Sequence, residues 1–183
     1  MSVARIRARE GVELHVESHG DGPPIVFSCG YSTTRENFRP QVEPLVAAGH
    51  RVLLWDYRGH GGTDAPDDPG AYSFDLVLDD LGRVLDWGAP ETPVVLAGFS
   101  FGGALSLHFA LRHPERVRAL VLIDTWPGFK NPDAHAGRPA QVERIAERAK
   151  DLLEADTSAV YLVEPEDQAF RATVALGENA AEI

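Results

Sequence analysis

The sequence predicts an α/β fold: a doubly wound, mostly parallel sheet. Three observations predict it. Four short runs, residues 25–27, 52–55, 94–97 and 120–123, are continuously apolar, as in strands buried on both faces. Helical patterns at 37–48, 74–87 and 101–112 lie between those runs. Strand alternating with helix gives parallel crossovers, with helices on both faces of the sheet. The third run also passes through Gly98-Phe99-Ser100-Phe101-Gly102 straight into a helical pattern.

Each element has its own signal. Residues 12–17 alternate, with Val12, Leu14 and Val16 on one side and Glu13, His15 and Glu17 on the other. That predicts a strand with one wet face. Gly20-Asp21-Gly22-Pro23-Pro24 must turn. The helix at 37–48 is irregular because it contains Pro40 and Pro44. The helix at 74–87 is more regular: Ser73 suits its N-cap, and Leu78, Leu81 and Leu85 share a face. His113-Pro114 stops the helix at 101–112.

Composition changes after Asp124, with turn-rich Trp126-Pro127-Gly128 and Asn131-Pro132. An amphipathic helix at 140–153 then carries Val142, Ile145, Ala149 and Leu152 on one stripe. The predicted organisation is a core over 1–126, followed by a partial helical cap or irregular C-terminal segment over 127–183.

The balance of 28 acidic and 17 basic residues gives a net charge of −11. This argues against a nucleic-acid partner, whose phosphates need a basic footprint. It offers anionic lipid no attraction either. The single cysteine, Cys29, allows no intrachain disulfide and points to a reducing compartment. The N-terminus lacks the apolar core of a secretion signal, and no apolar run approaches the ~18 residues of a membrane span. The expectation is a cytoplasmic protein with no membrane partner. Neither a metal nor a nucleotide cofactor is expected. There is no paired-cysteine motif, no histidine pair at i, i+4 on a predicted helix, no G-x-G-x-x-G and no P-loop.

The chemistry concentrates at Ser100. A serine between a strand and a helix, flanked by Gly98 and Gly102, matches a sharp turn that lifts the hydroxyl clear of the sheet. The helix N-terminus there favours developing negative charge. This candidate nucleophile is one of four motifs in order. The others are Ile25-Val26-Phe27-Ser28-Cys29-Gly30-Tyr31, Trp55-Asp56-Tyr57-Arg58-Gly59-His60-Gly61, and His113-Pro114-Glu115-Arg116-Val117 leading into Leu120–Asp124.

Over about residues 10–130 the chain resembles the α/β-hydrolase superfamily, in its capped serine esterase/lactonase branch. The resemblance implies an eight-stranded sheet, catalysis at its carboxyl edge, and a helical cap after the sixth strand. It assigns the oxyanion hole to the backbone N–H groups of Tyr31 and Phe101. Cys29 stands where the family usually has histidine; because the donor is backbone, the hole survives that change. We read Cys29 as a small residue packed behind the hole, with a reactive thiol as the weaker alternative. The resemblance makes the 56–61 stretch structural, with Asp56 and Arg58 locking the loop and His60 a scaffold histidine.

The triad is incomplete in the sequence. A serine nucleophile needs a histidine to take its proton and an acid to orient that histidine. In this family the chain order is serine, acid, histidine. After Ser100 the histidines are His108, His113 and His135, and none suits the role. His108 lies two helical turns on, His113 is at a helix end, and His135 is in the predicted cap. Asp124, directly after the sixth strand, is one candidate acid. Asp167 is the other, if residues 159–163 form the seventh strand. The favoured reading takes 157–183 as more cap. The sheet should then lack its last strands, and the 120–123 strand should lie at an edge open to self-association. The chain reads as an incomplete hydrolase.

Two functions compete. The first is hydrolysis of a small-molecule carboxylic ester, thioester or lactone through a Ser100 acyl-enzyme, impaired for want of a histidine. The second is a non-catalytic binding protein of the same fold.

Overall fold

A computed structural model of the chain describes residues 1–125, 157–163 and 170–177. The described strands form one sheet: β1 (Ser2–Arg7), β2 (Glu13–His19), β3 (Pro24–Ser28), β4 (Arg51–Trp55), β5 (Val94–Phe99), β6 (Val117–Ile123), β7 (Thr157–Val163) and β8 (Phe170–Gly177). Their spatial order is β1-β2-β4-β3-β5-β6-β7-β8. Four consecutive pairings, β4 with β3, β3 with β5, β5 with β6 and β6 with β7, are parallel. The β1–β2, β2–β4 and β7–β8 pairings are antiparallel. The doubly wound, mostly parallel class is therefore present, with all four apolar runs as central neighbours. Val26, Val52, Leu53, Leu54 and Leu96 in these strands are wholly buried, which is why they read as unbroken apolar runs.

The helices are α1 (Arg39–Ala47), α2 (Phe74–Gly88) and α3 (Phe101–Arg112). Ser73 caps α2, its hydroxyl accepting from the Leu76 N–H at 3.2 Å. Leu78, Leu81 and Leu85 are buried on one face of that helix. A 3-10 turn at Arg35–Phe38 precedes α1, and Pro40 occupies its first turn, where a missing N–H costs least. The His113 N–H closes the last turn of α3 onto the Phe109 carbonyl.

Three expectations need correction. Residues 157–163, read by preference as cap, form β7, which meets β6 through Ile123 and Tyr161. The β6 edge proposed for self-association is therefore occupied. The parallel run stops at β7, because β8 turns back antiparallel to it. A continuous apolar stretch of five residues suits a strand as well as a helix, and only the neighbour decides. The third correction concerns Glu17, placed on a wet face but buried. Arg35 and Arg39, from the 3-10 turn and α1, fold over it. The predicted helix at 140–153 lies outside the described residues.

Glu17 anchors a charge cluster that ties β2 to α1. Its carboxylate accepts from Arg39 Nη1 at 2.6 Å and Arg35 Nε at 2.6 Å, with His19 at 2.9 Å and His15 at 3.2 Å. The hydrogen bonds from Arg39, reinforced by Arg35 and both histidines, hold its pKa well below the ordinary 4.5 despite burial. A carboxylate whose pKa is lowered in the fold contributes stability above its unfolded pKa and loses it as pH falls. Glu17→Gln is expected to be about 2 kcal/mol less stable at pH 7. Its stability should fall less than that of the parent between pH 4.5 and pH 2. Urea melts across that range give both quantities; parallel curves would show that Glu17 does not contribute to the acid limb.

Candidate active site

Ser100 stands between β5 and α3 with φ 52° and ψ −114°. A non-glycine residue in this region is strained and persists only where its surroundings enforce it. The enforcement is visible. The Ser100 N–H donates to the Ile123 carbonyl at 2.9 Å, pinning the elbow to the end of β6. Its carbonyl accepts from the Gly103 and Ala104 N–H groups at 3.1 and 3.2 Å, and from the Thr125 hydroxyl at 2.5 Å. The flanking glycines make this approach sterically open. A Cβ on Gly98 would lie 2.2 Å from the Gly102 carbonyl oxygen, and one on Gly102 would lie 2.0 Å from the Ser28 carbonyl oxygen.

The same close packing brings residues 29–31 to the serine. A Cβ on Gly30 would stand 3.6 Å from Ser100 Cβ, so Tyr31 begins beside the nucleophile. Phe101 opens α3 immediately after it. The Tyr31 and Phe101 rings meet edge-on, 6.0 Å apart. Serine, Tyr31 and Phe101 therefore converge at the carboxyl edge of β3 and β5.

Cys29 lies behind this point, fully buried, with its thiol 3.4 Å from the Thr33 carbonyl. Burial pushes the thiol up to about 11, so it stays protonated at neutral pH and is a poor nucleophile. Its carbonyl accepts from the buried Tyr57 hydroxyl at 2.6 Å.

The 56–61 stretch is braced on all sides. Asp56 accepts from the Arg35 and Gly62 N–H groups, each at 2.9 Å, and pairs with the Arg35 guanidinium. Arg58 forms a buried two-pronged pair with Asp80, both contacts at 2.7 Å, and also donates to the Ala71 carbonyl at 2.6 Å. His60 Nδ1 lies 3.1 Å from the Arg58 carbonyl. A carbonyl only accepts, so Nδ1 carries the proton.

The candidate acids differ in what can be said of them. Asp124 is exposed, directly after Ile123, with φ 42°; it follows the residue whose carbonyl pins Ser100. Asp167 and His135 lie outside the described residues. His108 packs edge-on against Phe74, 5.1 Å away, and His113 lies over Phe109 at the far end of α3. Among the described residues no histidine hydrogen-bonds to Ser100. Likewise, among these residues no group of three histidine, cysteine or acidic side chains could hold a metal ion. No helix there is long and apolar enough to cross a membrane.

Sequence reasoning missed Thr125, whose hydroxyl braces the elbow, because a lone threonine after a strand carries no signal. It also missed an aromatic cavity beside the serine. This has a volume of about 530 Å³ and is lined by Tyr31, Tyr57, Tyr72, Phe74, Phe101 and their neighbours.

A strained serine at a strand–helix elbow on a mostly parallel sheet defines the α/β-hydrolase class of site. The alpha/beta hydrolase fold family model matches residues 23–169, and the chain belongs to that family. It is 38% identical to a protein named as a carbamate hydrolase, RutD, of Variovorax paradoxus, over 68% of this chain and 46% of that one. It is 36% identical to Epoxide hydrolase 2 of Siraitia grosvenorii, over 61% of this chain and 35% of that one. Among solved structures it resembles potato epoxide hydrolase I, with a TM-score of 0.65 and 28% identity, covering 76% of this chain and 45% of that one. The chain spans less than half the length of each of these relatives.

Proposed function

We propose that the chain carries the nucleophile and oxyanion hole of a serine hydrolase acting on a carboxylic ester, thioester or lactone. The observation that carries this reading is the positive φ of Ser100 at the β5–α3 elbow, with residues 29–31 packed beside it. In this reading Ser100 Oγ attacks the substrate carbonyl carbon and gives its proton to a base. The carbonyl oxygen becomes an oxyanion, held by the Tyr31 and Phe101 N–H groups at the N-terminus of α3. Collapse breaks the bond to the leaving oxygen or sulfur and leaves Ser100 acylated. Water then attacks that acyl group and restores the serine.

Asp124, which follows β6, and Asp167, which follows β7 in sequence, are the two candidate acids. Among the described residues no histidine hydrogen-bonds to Ser100, so this reading assigns no residue as the base. The relative named as a carbamate hydrolase supports attack at a carbonyl carbon. Those named as epoxide hydrolases do not decide the chemistry here. A branch that opens epoxides through a covalent ester needs a carboxylate nucleophile, and this chain has serine at the elbow. The second reading, a non-catalytic binding protein, is favoured only by the lack, among the described residues, of a histidine hydrogen bond to Ser100.

The test is covalent. Treating the chain with a fluorophosphonate and mapping its peptides by mass should find one phosphonyl group, on Ser100. An unmodified chain, or modification elsewhere alone, would overturn the proposal. In a phosphonylated structure the phosphoryl oxygen should face both the Tyr31 and Phe101 N–H groups.

A further inference from the structure

The aromatic cavity adjoins the site through the two residues proposed as oxyanion donors. Tyr31 and Phe101 both line it; Phe101 follows Ser100 in sequence, and Tyr31 follows Gly30, where an added Cβ would stand 3.6 Å from Ser100 Cβ. A carbonyl held on their N–H groups would therefore carry its substituent to the cavity mouth.

Six of the eleven residues that line it carry aromatic rings, His60 included. The Phe101 ring meets Tyr57 at 5.4 Å and Phe74 at 5.8 Å, both nearly perpendicular. His60 meets Tyr31 at 6.0 Å and Tyr57 at 5.7 Å in the same edge-on manner. Their polar atoms are largely engaged elsewhere. The Tyr57 hydroxyl donates to the Cys29 carbonyl, and the Tyr72 hydroxyl to the Pro66 carbonyl at 2.8 Å. The Arg58 guanidinium is held by Asp80 and the Ala71 carbonyl. What faces the cavity is therefore ring surface rather than charge. Two of these rings are also uncovered: Tyr31 is 72% exposed and Tyr72 42%. Large aromatic surface open to water beside a reactive serine suits a ligand that covers it.

We infer that this cavity is the specificity pocket for a flat aromatic group next to the scissile carbonyl. The inference rests on the Ser100 reading for its role in catalysis, but not for the binding itself. Rings that meet edge-on gain from ring geometry beyond the area they bury. A planar ligand should therefore outbind a saturated one of like size.

The probe is 2-naphthol, its binding followed by its own fluorescence. Its saturated counterpart, decahydro-2-naphthol, is read by displacement. The protein and its Ser100→Ala variant should bind 2-naphthol equally. The saturated alcohol should bind about fivefold to tenfold more weakly. Ala65→Trp, at an exposed rim position, fills the cavity without disturbing the core. It should weaken 2-naphthol binding about tenfold or more while leaving the thermal midpoint unchanged. Saturating 2-naphthol should also slow fluorophosphonate labelling of Ser100 by about fivefold or more.

Equal binding of the flat and saturated alcohols would overturn the pocket assignment, as would binding indifferent to Ala65→Trp. Binding that leaves labelling unslowed would overturn its service to Ser100. Binding that behaves as expected in a chain whose Ser100 no phosphonate labels would overturn the nucleophile and leave the pocket standing.

Discussion

With p-nitrophenyl acetate in excess, the chain is expected to release a burst of about one equivalent of p-nitrophenolate, and Ser100→Ala none. The argument turns on what the described residues supply. The elbow holds Ser100 in a left-handed conformation at the start of α3, beside Gly30 and Tyr31. An activated ester expels its leaving group readily, so once a base takes the Ser100 proton, acylation at the proposed nucleophile is fast. Deacylation must expel the unactivated serine oxygen with water as the nucleophile, so it is the slower step. A burst followed by slow turnover is the kinetic form of that imbalance. Removing the hydroxyl removes the only atom that can be acylated there, so the burst vanishes rather than slows. Stopped-flow absorbance at 400 nm, on about the millisecond-to-minute scale, measures its amplitude. A burst of equal amplitude in the alanine variant would show that another group is acylated and would sink the nucleophile assignment. Rapid steady turnover without a burst would show that acylation, not deacylation, limits the rate.

The second large effect is structural. Gly102→Ala places a methyl 2.0 Å from the Ser28 carbonyl oxygen and 2.6 Å from that of Cys29. Both obstacles are backbone, one of them in a central strand, and neither can rotate aside. The end of β3 and the start of α3 must part, which misplaces Tyr31 relative to Ser100. The expected loss is about 3 kcal/mol or more, lowering the thermal midpoint by roughly 6–12 °C. Fluorophosphonate labelling should fall at least tenfold, on the order expected if the proposed oxyanion donor at Tyr31 is misplaced. Gly82→Ala is the matched control. Its methyl would meet Phe109 Cε2 at 3.7 Å, an ordinary contact, on helix α2. There alanine should stabilise by about 0.5–1 kcal/mol. Equal effects at the two positions would mean that helix propensity, and not the approach of β3 to α3, governs Gly102.

Much of this architecture was legible because local signals agreed with the global fold. The apolar runs, the Ser73 cap and the Pro114 stop each depend on a few adjacent residues, and each survives in the structure. The elbow was legible for the same reason: a strand, a glycine-flanked serine and a helix form one local unit. The Asp56 and Arg58 braces came from the resemblance, and the geometry supplies their partners.

Other features depend on residues far apart in sequence. The alternation of β2 marks Glu17 as a solvent-facing position, and nothing within six residues says otherwise. Its burial comes from Arg35 and Arg39, 18 and 22 positions away, which fold over it from the 3-10 turn and α1. Residues 157–163 carry an apolar stretch that either a strand or a cap helix would bury, and pairing with β6 decides between them. The aromatic cavity gathers Tyr31, Tyr57, Tyr72 and Phe101 from four separate segments, so no periodicity announces it. By itself, then, the sequence determined the class of fold, the order of its core elements and the serine at the elbow, because these follow from short-range patterning and backbone sterics. Only the tertiary structure decided which charges are buried, that residues 157–163 join the sheet and which rings line the cavity beside the elbow. Those outcomes are set by which distant surfaces meet, and that cost in chain entropy is recovered only when the whole sheet closes.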